Sequence, residues 1–282
     1  MKTIVSCIDG SRSTIAICDY SAWASLRLAA PLTLLHVLEQ ASQVSSDLTG
    51  NIGLDSRENL LQELAELDEK RGRLAREHGQ RLLEAATRCL GQLGVVNPNL
   101  LQRHGNLIDT LKAMEDDIRL LVIGRQGEHG QSNLHHIGGN VESVIRTLQC
   151  PVLVIPAEFV KPQRFLVAFD GSANGRRVVE HLVRSPLLNG LHCHLLMVVE
   201  SSVDHQAQLE WAADELQRAG YTTHATISQG DVEDVLKAYC QEHAISLLAM
   251  GAYGHSRIRQ FLVGSTTTSM LRWAKLPLLL LH

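Results

Sequence analysis

The 282-residue chain is written twice, and that internal repeat limits its possible folds more than any single motif does. Ile8-Asp9-Gly10-Ser11 returns as Phe169-Asp170-Gly171-Ser172. Leu34-Leu35-His36-Val37-Leu38-Glu39 returns as Leu195-Leu196-Met197-Val198-Val199-Glu200. His104-Gly105-Asn106 and Gln229-Gly230-Asp231 each open a helical pattern. Leu120-Leu121-Val122-Ile123-Gly124 matches Leu247-Leu248-Ala249-Met250-Gly251, and Cys150-Pro151-Val152-Leu153-Val154-Ile155 matches Leu276-Pro277-Leu278-Leu279-Leu280-Leu281. Each half therefore carries five short apolar runs separated by helical patterns. That alternation predicts an α/β fold, a parallel sheet in each half.

The seam falls near Pro156–Gln163, which predicts domains over 1–157 and 163–282. The halves differ after their second strand. Residues 55–93 are rich in Leu, Glu and Arg at helical spacing, where the second half has one helix near Asp204–Ala219. The helical insertion is expected at about 45–75, with Leu60, Leu64 and Leu67 on one face, as are His78, Leu82 and Ala86. Gly72 and Gly79 are expected to interrupt it. It reads as a surface cover, a lid or a dimer contact.

Composition sets the class. Hydrophobic residues make up 45% and charged residues 20%, as in a globular protein. A net charge of −4 gives no general case for nucleic acid or an anionic membrane, and no apolar run approaches a membrane span. The first residues, Lys2 to Asp9, read as a strand rather than a signal peptide. The six cysteines form no C-x-x-C pair, and several sit in apolar runs, so free thiols and a cytoplasmic location are expected.

Chemistry concentrates at residues 251–265. Gly251-Ala-Tyr-Gly254 is followed, after nine residues, by Gly264-Ser265-Thr266. An apolar strand precedes this loop and a hydroxyl-rich helix start follows it. Glycines let backbone N–H groups approach an anion, and the helix start adds unpaired donors and a positive dipole end. Phosphate is the ligand such a loop suits. The chain has no Gly-Lys dipeptide and no G-x-G-x-x-G, so neither a Walker loop nor the usual dinucleotide fingerprint is present.

The spacing G-x2-G-x9-G-S resembles the ATP-binding signature of the universal stress protein family, and the resemblance extends over nearly the whole chain as two tandem copies. It implies two open five-stranded parallel sheets in the order 3-2-1-4-5, of the Rossmann-like HUP type, with helices on both faces. It implies Mg²⁺ with the ATP, and last strands that pair the halves into an internal pseudo-dimer. The resemblance also allows a further homodimer of whole chains. Carried over residue by residue, Asp170 meets the adenosine end, Val198 touches adenine, and Met250 packs beside it. Gly251 and Gly254 line the sugar-phosphate path, and Gly264, Ser265 and Thr266 cradle phosphate. His255 and Arg257, inside the loop, could reach the γ-phosphate.

The first half departs from the signature. Asp9 and Val37 remain, but Gly124, Gly127 and Gly130 are followed by Gly138 and Gly139, one residue out of step. Counting back from Pro151 sets Gly138 against Gly264 and Gly139 against Ser265, which loses a hydroxyl. Asp9, Val37, Gly124, Gly127, Gly138 and Gly139 thus outline a degenerate site.

Fourteen histidines invite a metal reading, but neither His192/His194 nor His135/His136 brings a third ligand at suitable spacing, so no metal site is expected. No nucleophile elbow, H-E-x-x-H or cysteine–histidine signature marks a catalytic group. The expected function is a nucleotide-responsive stress factor that binds ATP and acts through an unidentified protein partner. The alternatives are a slow ATPase aided by His255 or Arg257, and a scaffold holding another small ligand in its first half.

Overall fold

The computed structural model describes residues 1–38, 54–126, 139–252 and 265–282, with side chains described from residue 62 in the second stretch and from 140 in the third. Ten strands form one sheet in the order β3-β2-β1-β4-β5-β10-β9-β6-β7-β8. The first half supplies β1 Thr3–Cys7, β2 Leu32–Leu38, β3 Asn99–His104, β4 Ile118–Gly124 and β5 Val152–Ile155. The second supplies β6 Arg164–Ala168, β7 His192–Val198, β8 Thr223–Ser228, β9 Leu247–Gly251 and β10 Leu278–Leu281. Within each half the order is 3-2-1-4-5 and every pairing is parallel. The halves meet in one antiparallel pair, Leu278↔Val154, Leu279↔Leu153 and Leu280↔Val152. Pairing these apolar last strands removes two exposed sheet edges, as their sequence required.

Alternate residues of each strand feed two cores, one on each sheet face. Ile4, Leu120, Val122, Val167 and Leu279 pack on one face with α1 (Thr14–Leu28), the end of α2 (Leu54–Gln92), α5 (Ala173–Arg184) and α6 (Val203–Arg218). Val5, Leu121, Ile123, Leu166 and Leu280 pack on the other with α3 (Leu107–Ala113), α4 (Gly139–Thr147), α7 (Val232–Glu242) and α8 (Ser265–Trp273). Burial on both sides is why the strands read as continuous apolar runs rather than alternating ones. Asn106 and Asp231 cap α3 and α7, each accepting two backbone N–H bonds, at the places where the sequence signalled helix starts.

Contacts across the seam add to the sheet. Arg27 of α1 donates to the Leu187 and Asn189 carbonyls, and Arg125 to the Ala274 carbonyl. Between β5 and β6 the chain docks on α1, with Phe159 edge-on to Tyr20 at 4.7 Å and the Tyr20 hydroxyl bonded to the backbone of Val160. The cysteines are free thiols, and burial pushes those of Cys7, Cys150, Cys193 and Cys240 up to about 12. Among the described residues, no helix is long and apolar enough to cross a membrane.

One expectation fails. Gly72 and Gly79 do not interrupt the insertion, because α2 runs unbroken through both. Gly79 lies where α2 crosses β2 and β3. A Cβ there would fall 2.3 Å from Gln102 Nε2 and 2.4 Å from His36 Cδ2, so glycine permits the packing instead of ending the helix. The unbroken helix keeps Leu64 and Leu67 on one face, and His78, Leu82 and Ala86 on one face, as the spacing predicts, but burial is confined to its last turns. Leu83, Ala86 and Leu90 are buried and Leu82 is half-buried, whereas Leu64, Leu67 and His78 are exposed. The side chain of Leu60 lies outside the described residues.

Candidate functional site

In the second half the strand order reverses between β6 and β9, where α5 and α8 leave toward opposite faces. Their register pairs Ala168 with Met250, so Asp170 and Gly251 stand side by side at the carboxyl ends. Such a reversal opens a crevice at the strand ends, the usual ligand position in open α/β sheets. Asp170 is held there by its own turn. Its Oδ1 accepts from the Ser172 backbone N–H at 3.0 Å and from the Ser172 hydroxyl at 2.6 Å. Gly171 takes φ +70°, which a Cβ would strain, and Ser172 caps α5 by accepting from the Gly175 N–H. Gly175 lets this first turn lie against the carboxylate, since a Cβ there would fall 2.6 Å from Asp170 Oδ1.

Val198 ends β7 half-buried, and Met250 is 6% exposed, so both present apolar surface at the same sheet end. Thr267, buried in the first turn of α8, donates its hydroxyl to the Gly251 carbonyl at 3.4 Å. That bond ties the helix start to the end of β9. Ser265 is exposed, Thr266 is half-buried, and the first turn carries no acidic residue. A helix start with hydroxyls and no carboxylate of its own suits an anion, with the Glu233 carboxylate of α7 engaged by the Ser269 hydroxyl further along α8. Gly254, His255, Arg257 and Gly264 lie outside the described residues.

The first half repeats this frame with different lining. Ser6 pairs with Val122, which brings Asp9 and Gly124 to neighbouring strand ends. Asp9 Oδ1 accepts from the Ser11 N–H at 3.0 Å. Val37 lies one residue before the end of β2, the counterpart of Val198. Arg125 N–H bonds the Ile155 carbonyl as Ala252 N–H bonds that of Leu281, which makes Gly124 and Gly251 equivalent. Helix α4 opens at Gly139 and α8 at Ser265, both nine residues long, so the first-half loop is one residue longer. Gly127 and Gly138 lie outside the described residues.

Two differences went unread in the sequence. The first turn of α4 carries Glu142, where α8 has Thr268. A carboxylate there occupies the positive end of the helix dipole and opposes a phosphate. Over the strand-1 turn, Leu82 lies 3.2 Å from where a Cβ of Gly10 would be, whereas in the second half the Gln208 amide covers Gly171. Leu82 and Gln208 each precede the last residue of their helix, Gln92 or Arg218, by ten positions. The signal for both was available, in an aligned pair of helices, but needs the helix ends to be known first.

Elsewhere, a cavity of about 150 Å³ opens at the opposite, amino ends of the strands, between the halves, where Arg119 meets His181 and Leu187. On the α7 face, His194, His224 and His243 gather with ring centres 5.2 to 6.4 Å apart, and His194 Nδ1 lies 3.0 Å from the Tyr239 hydroxyl. Among the described residues, no group of three or more His, Cys, Asp or Glu side chains converges to hold a metal ion.

A doubly wound sheet with a crevice at each strand-order reversal defines a Rossmann-like α/β protein, here a fused pair. The sequence model of the universal stress protein family matches residues 1–156 and again 162–282. A universal stress protein of Synechocystis sp., Slr1230, is 34% identical over 99% of both chains. The solved structure of a universal stress protein from Archaeoglobus fulgidus superposes with a TM-score of 0.70 at 17% identity, covering 99% of this chain and 95% of that one. A putative universal stress protein from Pseudomonas aeruginosa superposes with a TM-score of 0.63 at 14% identity, covering 100% and 93%. The chain belongs to the universal stress protein family, with two tandem copies of the family's domain.

Proposed function

We propose that this protein binds ATP with Mg²⁺ at one site, in its second half, and acts as a nucleotide-responsive stress factor through partner proteins. The observation that carries the reading is the crevice where Asp170, Gly251 and the start of α8 meet. Asp170 takes the adenosine end, with Val198 and Met250 as apolar walls. Ser265, Thr266 and the first N–H groups of α8 receive phosphate, joined by Gly254 and Gly264 of the loop. Mg²⁺ arrives on the phosphates and neutralises their charge. Bound nucleotide would fix the arrangement of the loop between Gly254 and Gly264, and a partner would read that state. The first half, with Gly139 and Glu142 at its helix start, is left without a phosphate cradle.

The test is calorimetric titration of Mg·ATP into nucleotide-free protein and into Gly264→Val, whose branched Cβ would stand in the path of the triphosphate. One site per chain, lost in the variant, is the expected result. Absence of any binding heat in the wild type would overturn the reading. Phosphate release, followed in the same samples, separates a binding protein from a slow ATPase that uses His255 or Arg257.

A further inference from the structure

The insertion in the first half is an extension of a helix rather than a separate element. Because α2 and α6 end in equivalent places, the start of α6 at Val203 corresponds to Glu77, and residues 54–76 have no counterpart. At about 1.5 Å per residue they reach roughly 35 Å beyond the shared part. Every residue from 62 to 78 is exposed except half-buried Gly72. A helix without tertiary packing gains little stability from its own backbone.

Two patterns in this extension point to the same occupant. First, Leu64, Leu67, Arg71, Leu74 and His78 follow one another by three and four residues, the spacing of a coiled-coil seam. The three leucines are 40%, 51% and 53% exposed. Second, charge is segregated along the axis. Residues 62–69 carry Glu63, Glu66, Asp68 and Glu69 with no cation, and residues 70–76 carry Lys70, Arg71, Arg73 and Arg76 with no carboxylate. The ion pairs within the helix, Arg71–Asp68 at 3.9 Å and Arg73–Glu77 at 4.0 Å, are long and exposed and contribute little.

We propose that the extension is a dimerisation arm that pairs, antiparallel, with the same segment of a second copy. Antiparallel pairing centred near Glu69 sets each acidic stretch against a basic one and brings Leu64 opposite Leu74. Arg71 lays its stem along the seam and turns its guanidinium to the acidic stretch. Parallel pairing would set like charge on like.

Sedimentation equilibrium of the full chain tests this. The mass should rise from one chain to two with concentration, and added salt should weaken the dimer. Two variants, one with Glu63, Glu66, Asp68 and Glu69 changed to Lys, the other with Lys70, Arg71, Arg73 and Arg76 changed to Glu, should each be monomeric. Mixed one to one, they should form a heterodimer at least tenfold tighter than either self-association. Circular dichroism of each variant checks the helix. A wild type monomeric at every concentration would overturn the proposal, as would an arm that folds back on its own chain or serves another partner, which gives the same monomer. So would a dimer strengthened by salt, which marks leucine-driven parallel pairing, or one retained by both variants.

Discussion

The two halves share a frame and differ in what stands over it. Strand order, the register at the carboxyl ends of the strands, the caps of α3 and α7, and the bond closing each fourth strand are the same in both. At the crevices they part. The second half offers Ser265, Thr266 and no acidic residue in the first turn of α8, with the Gln208 amide over its strand-1 turn. The first half offers Gly139, Glu142 and the Leu82 side chain, and carries the long extension of α2. Duplication thus supplied two equivalent positions, and a few side chains at helix starts separate them. Fold and ligand chemistry are set by different residues, which is why one can be kept while the other is altered.

The largest expected effect tests the packing that holds α2 on the first half. In Gly79→Ala the new methyl meets His36 and Gln102, and although the Gln102 amide can swing aside, the buried His36 ring is not free to give way. His36 Nδ1–H donates to the buried Ile8 carbonyl at 2.6 Å, and Gln102 Nε2 donates to the Arg76 carbonyl at 3.2 Å. Overpacking of this kind costs about 1–3 kcal/mol, which exceeds the gain in helix propensity. Urea denaturation should register the loss. An unchanged midpoint would mean that α2 does not press on β2 and β3 as described.

Next comes the crevice comparison itself. Thr268→Glu places in the second half the carboxylate that Glu142 places in the first. Mg·ATP affinity should fall at least tenfold, about 1.4 kcal/mol, with stability little changed. The reciprocal double change, Gly139→Ser with Glu142→Thr, should give the first half measurable but weaker binding, because its loop keeps one extra residue. Equal affinity of Thr268→Glu and wild type in calorimetry would remove the helix start from the account.

Most of the frame was legible because buried parallel strands announce themselves. Leu120 to Ile123 or Leu278 to Leu281 can be little else when bounded by turn residues, and apolar last strands need a partner. Asp9 and Asp170, Gly124 and Gly251, and the helix starts at Gly139 and Ser265 were placed by counting along the repeat. The glycines of α2 were misread because a glycine's cost in a helix is local, about 1 kcal/mol, and tertiary packing overrides it. Gly79 and a helix-breaking glycine look alike until the crossing strands are known. Glu142 and Leu82 escaped notice because each looks ordinary in its own helix and acquires meaning only beside Thr268 and Gln208.

A smaller effect concerns acid. Burial, then His243, His224, Arg164 and His192, hold His194 below its ordinary range, and its Nδ1 faces the Tyr239 hydroxyl. Burial and then Arg184 depress His181. His282 is pushed down to about 4, by burial first, with Glu115 opposing and Arg177 reinforcing the shift. All three belong to the second half. Each binds a proton more readily when unfolded, so its contribution is whole above the ordinary histidine range and is lost as pH falls through it. Between pH 7 and pH 5.5, stability should fall by on the order of 1 kcal/mol. His282→Gln should recover part of that fall in urea titrations at the two pH values. A flat profile would contradict the low pKa of half-buried His282, the largest of the three shifts.

The smallest expected effect has the opposite sign and separates the two parts of α2. A Cβ on Gly72 meets nothing within 4 Å, whereas one on Gly79 meets two side chains. Gly72→Ala should therefore gain only what alanine gains over glycine in an exposed helix, somewhat under 1 kcal/mol. Whether that gain appears in global unfolding depends on how the extension is coupled to the core. If residues 54–76 fray independently, the substitution raises helicity by circular dichroism and leaves the urea midpoint unchanged. If a second copy holds them, the gain is registered in the dimer, as slower amide exchange along the extension at high protein concentration and not at low. The same alanine placed seven residues later destabilises the protein, so the pair of substitutions marks where α2 stops being part of the core and becomes an arm.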